Sequence, residues 1–305
     1  MENRWITYTS PCKFNLFLDV LGRRPDGFHE VVTVIEPLAL YDTLEILETP
    51  DDISVTIDHS GVPDGPDNII YQAVRLIREE TGIEKGVEIR VKKVVPVAGG
   101  LGGGSANAAL TLRMLNKLWG LNLSRSTLFR LAERLGSDVP FFLNPTTSLC
   151  RGRGEESTPL PLAPPFWVVL INPAFPISTH WAYRQLSRPS SPRTPHSSLE
   201  KILDALKRSD LTALSSSLYN VFQEVLEPRL SPIHEILEFF RRSGTIGTVL
   251  SGSGPTVVGL VEREAEARDL AVQARAVFPA HYLIHTAGNS LSRKFYFIDL
   301  PEILY

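Results

Sequence analysis

The chain reads as an α+β protein in two units, on three observations. Strand and helix patterns follow one another irregularly, without the strict alternation of a doubly wound sheet. At 305 residues the chain is long enough for two domains. Its texture changes at a stretch crowded by Pro159, Pro161, Pro164 and Pro165. The units expected are therefore 1–158 and 159–287, followed by a tail, 288–305.

The elements justify this in order. From Phe14 to Val20, apolar Phe14, Leu16, Leu18 and Val20 alternate with Lys13, Asn15, Phe17 and Asp19. That is the period of a half-buried strand, and it puts Lys13, Asn15 and Asp19 on one face. A polar loop, Gly22 to His29, leads into β-rich Val31 to Ile35 and Leu44 to Leu47. Asp67 is placed to cap a helix running to about Thr81, with Ile70, Ala73, Val74 and Ile77 inward and Gly82 as its stop. Val87, Ile89 and Val91 alternate with charged residues as a further strand. After a glycine cluster, Ala108, Ala109, Leu112, Leu115 and Trp119 take helical spacing. Ser124 and Gly136 bound a third helix, and Ser137-Asp138-Val139-Pro140 follows it. In the second half, Trp167 to Ile171 reads as a strand and Arg188 to Ser198 as an exposed Ser/Pro loop. Helical patterns follow near Leu199 to Lys207, Ser217 to Leu226 and Ile233 to Arg242. Two β-rich runs, Thr248 to Leu250 and Thr256 to Leu260, flank Ser251-Gly252-Ser253-Gly254.

Composition excludes several classes of function. No apolar run approaches the ~20 residues of a membrane span. With 31 Lys+Arg against 34 Asp+Glu, the net charge of -3 lacks the basic excess of a nucleic-acid binder. The two cysteines, Cys12 and Cys150, make neither a disulfide framework nor a zinc ribbon. With no signal or transit stretch at the start, a reducing cytoplasm is expected.

Five of the 21 glycines fall between Gly99 and Gly104, between a strand and a helix. Glycine lets backbone N–H groups approach an anion closely, and a helix N-terminus adds partial positive charge. The run Gly99-Gly100-Leu101-Gly102-Gly103-Gly104-Ser105 is thus a phosphate cradle. It is not a Walker loop, because no lysine follows Gly104. It is not a dinucleotide fingerprint either, because Ser105 stands where Gly or Ala is needed.

The stretch Pro96 to Ala109 resembles the second motif of the GHMP kinases, the superfamily of galactokinase, homoserine kinase and mevalonate kinase. Pro11-Cys12-Lys13-Phe14-Asn15-Leu16 is similar to its first motif, and Leu250 to Thr256 to its third. Within the superfamily, the block Gly22 to Glu30, Leu135 to Phe142 and Gly152-Arg153-Gly154-Glu155 are most similar to the family acting on the cytidine diphosphate ester of methylerythritol. The likeness runs from about residue 8 to 287.

The resemblance implies a GHMP kinase fold, with an N-terminal domain like ribosomal protein S5 domain 2 that binds ATP and a C-terminal ferredoxin-like α/β domain. It implies transfer of phosphate from ATP, with Mg²⁺, to the tertiary 2-hydroxyl of that ester in the non-mevalonate isoprenoid route. Other readings are a different GHMP kinase, such as a homoserine kinase, and a nucleotide-binding regulator without catalysis. By the same likeness Asp138 is the general base and Lys13 its cationic partner. Asn15 contacts substrate or holds Asp138. Pro96, Gly99, Gly100, Leu101, Gly102, Gly103, Gly104, Ser105 and Ala106 bind ATP, the amides of Gly100 to Gly104 wrapping its phosphates and the Ser105 hydroxyl reaching phosphate or metal. Asn68 and Lys93 contact the nucleoside. Phe28 and Tyr183 would sandwich the cytosine, His29 would read its edge and Thr179 would support the pocket, with Trp181 a rival for Tyr183. Phe28 replaces a more usual tyrosine, so stacking survives while a hydroxyl contact is lost. Ala98, Ala106 and Cys12 are smaller departures. The apolar tail suggests packing on the body or on a second copy, as in a homodimer.

Overall fold

The computed structural model describes residues 4–186 and 193–289. Its first sheet holds β1 (Ile6–Arg23), β2 (His29–Thr49), β3 (Ile53–Ile57), β4 (Gly86–Lys92), β5 (Ser148–Arg151), β6 (Glu156–Pro159) and β8 (Tyr219–Asn220). They lie in the order β3-β4-β2-β1-β8, with β5 paired to β2 and β6 to β5. The second sheet has the order β11-β7-β10-β9 and is antiparallel, from β7 (Trp167–Asn172), β9 (Gly247–Leu250), β10 (Val257–Val261) and β11 (Leu283–Gly288).

Helices α1 (Ile69–Thr81), α2 (Gly103–Leu118), α3 (Arg125–Leu135) and α4 (Val139–Leu143) share a core with β2 and β4, built from Ile70, Val74, Leu112, Leu131, Ile46 and Ile89. Along the second half run α5 (Thr179–Arg184), α6 (Ser198–Arg208), α7 (Leu211–Ser215), α8 (Val221–Leu226), α9 (Ser231–Arg242) and α10 (Glu264–Val277). Of these, α9 and α10 bury Ile236, Phe240, Leu270 and Ala274 against Val169, Ile171 and Val257 of the second sheet. A third cluster joins the sheets: Phe14, Leu16 and Val34 pack with Phe166, Val168 and Val258. The α+β class expected of the sequence is what the chain adopts.

Differences from the expectation have local causes. The runs at Val31 and Leu44 are parts of one 21-residue strand, β2. β1 is buried on both faces from Ser10 to Val20 rather than half-buried, because the second sheet's cluster closes one side and the site the other. Its alternation also slips. Asn15 pairs with Ile35 but Phe17 with Val34, leaving Leu16 as an extra residue. Beyond such a bulge the faces exchange. Lys13 and Asn15 therefore stay together, while Asp19 turns to the other side, where it accepts from Arg193 Nη2 at 2.5 Å and from the His196 amide at 2.9 Å.

Asn68, not Asp67, caps α1, accepting from Ile70 N at 2.8 Å, because Asp67 is taken up in a 3-10 turn, Gly65–Asp67. The helical pattern from Ser217 begins only at Val221. Asn220 caps α8 and its amide also donates to Leu250 O and Gly252 O, so the residues before it run as strand. Residues 188–192 of the Ser/Pro loop and 290–305 of the tail lie outside the described residues.

Candidate functional site

Between the two sheets opens a cavity of about 960 Å³. Lys13 reaches it from β1, with only 4% of its side chain exposed. An ammonium so buried must have its protons matched by acceptors. Its Nζ donates to Asn15 Oδ1 at 2.9 Å and to Gly100 O at 3.0 Å, and Asp138 Oδ2 stands 3.8 Å away. Asn15 does not reach Asp138 by a hydrogen bond. Its Oδ1 also accepts from Gly252 N at 2.9 Å, and its Nδ2 donates to Thr33 Oγ1 at 2.8 Å. Asn15 thus fixes the lysine and ties β1 to the Ser251–Gly254 turn.

Asp138 sits where α3 gives way to α4. It occupies the cap position of α4 yet makes no side-chain cap bond, and its carboxylate is 40% exposed into the cavity. The side chain of this aspartate therefore does not cap the helix, and its one charged partner among the described residues is Lys13.

The glycine loop is held from three directions. Gly100 and Gly102 have φ of 76° and 70°, open to glycine and strained for other residues. A Cβ on Gly100 would lie 2.2 Å from Ser251 O, and one on Gly102 would lie 2.8 Å from the Phe142 ring. Ser251 Oγ donates to Gly100 O at 2.9 Å, and Lys13 N donates to Leu101 O at 3.0 Å. The first intrahelical bond of α2 runs from Ala106 N to Gly102 O. The amides of Gly103, Gly104 and Ser105 consequently point forward from the helix N-terminus as anion donors.

Gly100, Gly102 and Ser105 line the cavity. Pro96, Gly99, Leu101 and Ala106 are buried behind it, Gly99 against Asn172 and Thr256 with no room for a Cβ. Asn68 and Lys93 lie outside the cavity lining. Asn68 donates to Pro63 O besides capping α1, and Lys93 is ion-paired with Asp42. That aspartate, fully buried, was not singled out from the sequence. It also accepts from Val94 N, Val95 N and Asn107 Nδ2, at 2.8, 2.9 and 3.1 Å, and so fastens the approach to the glycine loop to α2. Its only sequence signal is a lone acid inside the β-rich run Leu40 to Leu44.

At the other end, the rings of His29 and Tyr183 lie 4.7 Å apart, and Tyr183 meets Phe222 edge-on at 4.9 Å. Burial, and then Arg23, hold the His29 imidazole below its ordinary 6.5, so it is neutral at neutral pH. Burial raises the Tyr183 hydroxyl, with Asp138 adding to it, which keeps it protonated. Phe28 is 53% exposed at the rim. Thr179 Oγ1 is 3.3 Å from Ser253 Oγ. Both Trp181 and Tyr183 are partly buried against the core of the second sheet, and of the two Tyr183 lines the cavity. Three cations not singled out from the sequence, Arg23, Arg153 and Arg184, also line the cavity. Arg153 lies in a turn between Gly152 and Gly154, and Arg23 ends β1 beside Gly22, so a neighbouring glycine is the sequence signal the two share.

Among the described residues no cluster of three His, Cys, Asp or Glu side chains could hold a metal ion, and no helix is long and apolar enough to cross a membrane. A divalent ion here would ride mainly on phosphate oxygens, with the Ser105 hydroxyl and the Asp138 carboxylate nearby. That sparse oxygen set suits Mg²⁺, which keeps much of its water.

Residues 68–144 match the family model of the GHMP kinases N terminal domain, and 202–280 that of the GHMP kinases C terminal domain. The chain is 43% identical over 259 residues to the 4-diphosphocytidyl-2-C-methyl-D-erythritol kinase of Symbiobacterium thermophilum, covering 84% of this chain and 91% of that one. It is 38% identical over 286 residues to the enzyme of the same name from Exiguobacterium sibiricum, covering 93% and 99%. A crystal structure of 4-(cytidine 5'-diphospho)-2C-methyl-D-erythritol kinase superposes with a TM-score of 0.76 at 33% identity, covering 93% of this chain and 99% of that one. Homoserine kinase from Cytophaga hutchinsonii, at 18% identity and a TM-score of 0.72 over 95% of each chain, shares the fold.

Proposed function

This chain belongs to the 4-diphosphocytidyl-2-C-methyl-D-erythritol kinase family of the GHMP kinases, and on that premise we propose how an ATP-dependent kinase of this kind works through the cavity described. The acceptor is the tertiary 2-hydroxyl of 4-diphosphocytidyl-2-C-methyl-D-erythritol, a step of isoprenoid precursor synthesis. The observation that carries the reading is the exposed Asp138 carboxylate 3.8 Å from the buried Lys13 ammonium, beside the amides that open α2.

Phosphoryl transfer asks the protein mainly to align the hydroxyl and neutralise charge. Asp138 takes the hydroxyl proton as the oxygen bonds to the γ-phosphorus and the bond to the β,γ-bridging oxygen breaks, releasing ADP. Lys13, fixed by Asn15 and Gly100 O, lies where charge on the transferring group is compensated. The amides of Gly103 to Ser105 hold the nucleotide phosphates, and Ser105 Oγ would hold Mg²⁺. When bound, that ion neutralises phosphate oxygens. Asn68 and Lys93 enter on the nucleoside side, with their side chains already engaged in the fold. The cytidine end lies against Phe28, His29 and Tyr183, where stacking contributes about 1 to 3 kcal/mol whatever the base and a neutral His29 supplies edge discrimination. Thr179 borders this end, and Arg23 and Arg184 face the diphosphate.

The test incubates purified protein with ATP, Mg²⁺ and, separately, the cytidine diphosphate ester, homoserine and mevalonate. ADP should form with the ester alone, and Asp138→Asn should lower turnover about 10²-fold or more. Turnover confined to homoserine or mevalonate would overturn the substrate. Near-native turnover of folded Asp138→Asn would overturn the base.

A further inference from the structure

We infer that Arg153 is a positioning residue for the cytidine end of the acceptor, acting through the Phe28 ring; this rests on the substrate reading above. The connection between β5 and β6, residues 152–155, is wedged between the two ends of the acceptor site. On one side Gly152 O accepts from Val31 N at 2.7 Å, two residues after His29. On the other, the space beside Gly154 is bounded by the Ser137 side chain, one residue before Asp138. Arg153 stands between them, its guanidinium carbon 4.9 Å from the centroid of the Phe28 ring.

The guanidinium is aimed rather than free. Arg153 Nε donates to Glu155 Oε1 at 3.2 Å, and the Arg153 amide donates to Glu155 Oε2 at 2.5 Å. Glu155 is mostly buried, at 14% exposure, so the anchor is firm. The ring is aimed as well. Phe28 N donates to Asp26 Oδ1 at 3.0 Å, Arg24 N donates to Phe28 O at 2.8 Å, and Arg24 pairs with Asp26 and Glu30 at 3.1 and 2.8 Å. A half-exposed aromatic ring has no core to pin it. Here a cation covers one face, which leaves the other for a flat ligand. Arg153 lines the cavity beside the ring that it covers.

The experiment measures steady-state kinetics with the cytidine diphosphate ester and calorimetric binding of CDP, for wild type, Arg153→Ala, Arg153→Lys, Phe28→Leu and the double variant Arg153→Ala/Phe28→Leu. Arg153→Ala should raise the ester KM and the CDP Kd about 5- to 30-fold, the range of a partly desolvated cation–π contact. The KM for ATP and kcat should stay within about 2-fold, and Arg153→Lys should recover part of the loss. The double variant should bind CDP little worse than Phe28→Leu, since the arginine works through the ring. Fully additive losses, or an ester KM unmoved in folded Arg153→Ala, would overturn the inference while leaving the substrate reading intact. A wild type that neither turns over the ester nor binds CDP would overturn both.

Discussion

At the scale of single residues, the proposed role of His29 carries a pH dependence. Burial, and then Arg23, disfavour its charged form, so its titration in the folded chain lies below 6.5. Above 6.5 the ring is neutral in folded and unfolded chain alike, and its contribution is complete. As pH falls from 6.5 through the lower folded value, protonation works against the folded, substrate-ready arrangement, and stability is lost. The KM for the cytidine diphosphate ester should therefore rise below pH 6.5, and His29→Gln should flatten that rise. A wild-type KM constant between pH 5 and 7 would refute the assignment. Lys13 and Asn15 were legible as neighbours because a strand's period of two survives as far as Asn15. Asp19 was misplaced because one inserted residue is invisible to a periodicity count. Asp42 went unnoticed because its importance comes from four donors spread over residues 93 to 107, which only the fold assembles.

Among the elements, the junction of the glycine loop and α2 is the most exacting. Gly100→Ala would combine a positive φ with a Cβ 2.2 Å from Ser251 O. A left-handed backbone alone costs an ordinary residue about 1 to 2 kcal/mol. Displacing the turn should raise the ATP KM about 10-fold or more. Gly120 offers a control, with φ of 63° but no neighbour within 4 Å and a place beyond the far end of α2. Gly120→Ala should lower Tm while leaving the ATP KM unchanged, and equal effects on ATP from both variants would contradict this account of the loop. The start of α2 could be read in advance because glycine, strand end and helical spacing coincide there. The short α4, α5 and α7 offer fewer than two turns of pattern for a periodicity to show.

For the whole molecule, the sequence's change of texture between Pro159 and Pro165 does mark the passage from one sheet to the other, since β6 ends at Pro159 and β7 starts at Trp167. Yet β8 returns to the first sheet beside β1, and Phe14 meets Phe166 edge-on at 6.0 Å in a cluster drawn from both. We expect the 1–158 and 159–287 units to melt together. Calorimetry should give one transition, raised as a single peak by ATP, which at 100 times its Kd adds about 2.7 kcal/mol. Two resolved peaks, with only one moved by ATP, would show independent units. Composition alone could not place the charges. A net charge of -3 is compatible with a strongly anionic ligand pair because backbone amides and a few converging cations meet it locally. The extra residue in β1 finally sets how the chain can vary. A change of length between Phe14 and Phe17 would turn Leu18 out of the cavity and carry Asp19 into it. In this strand, the count of residues is inherited along with their identity.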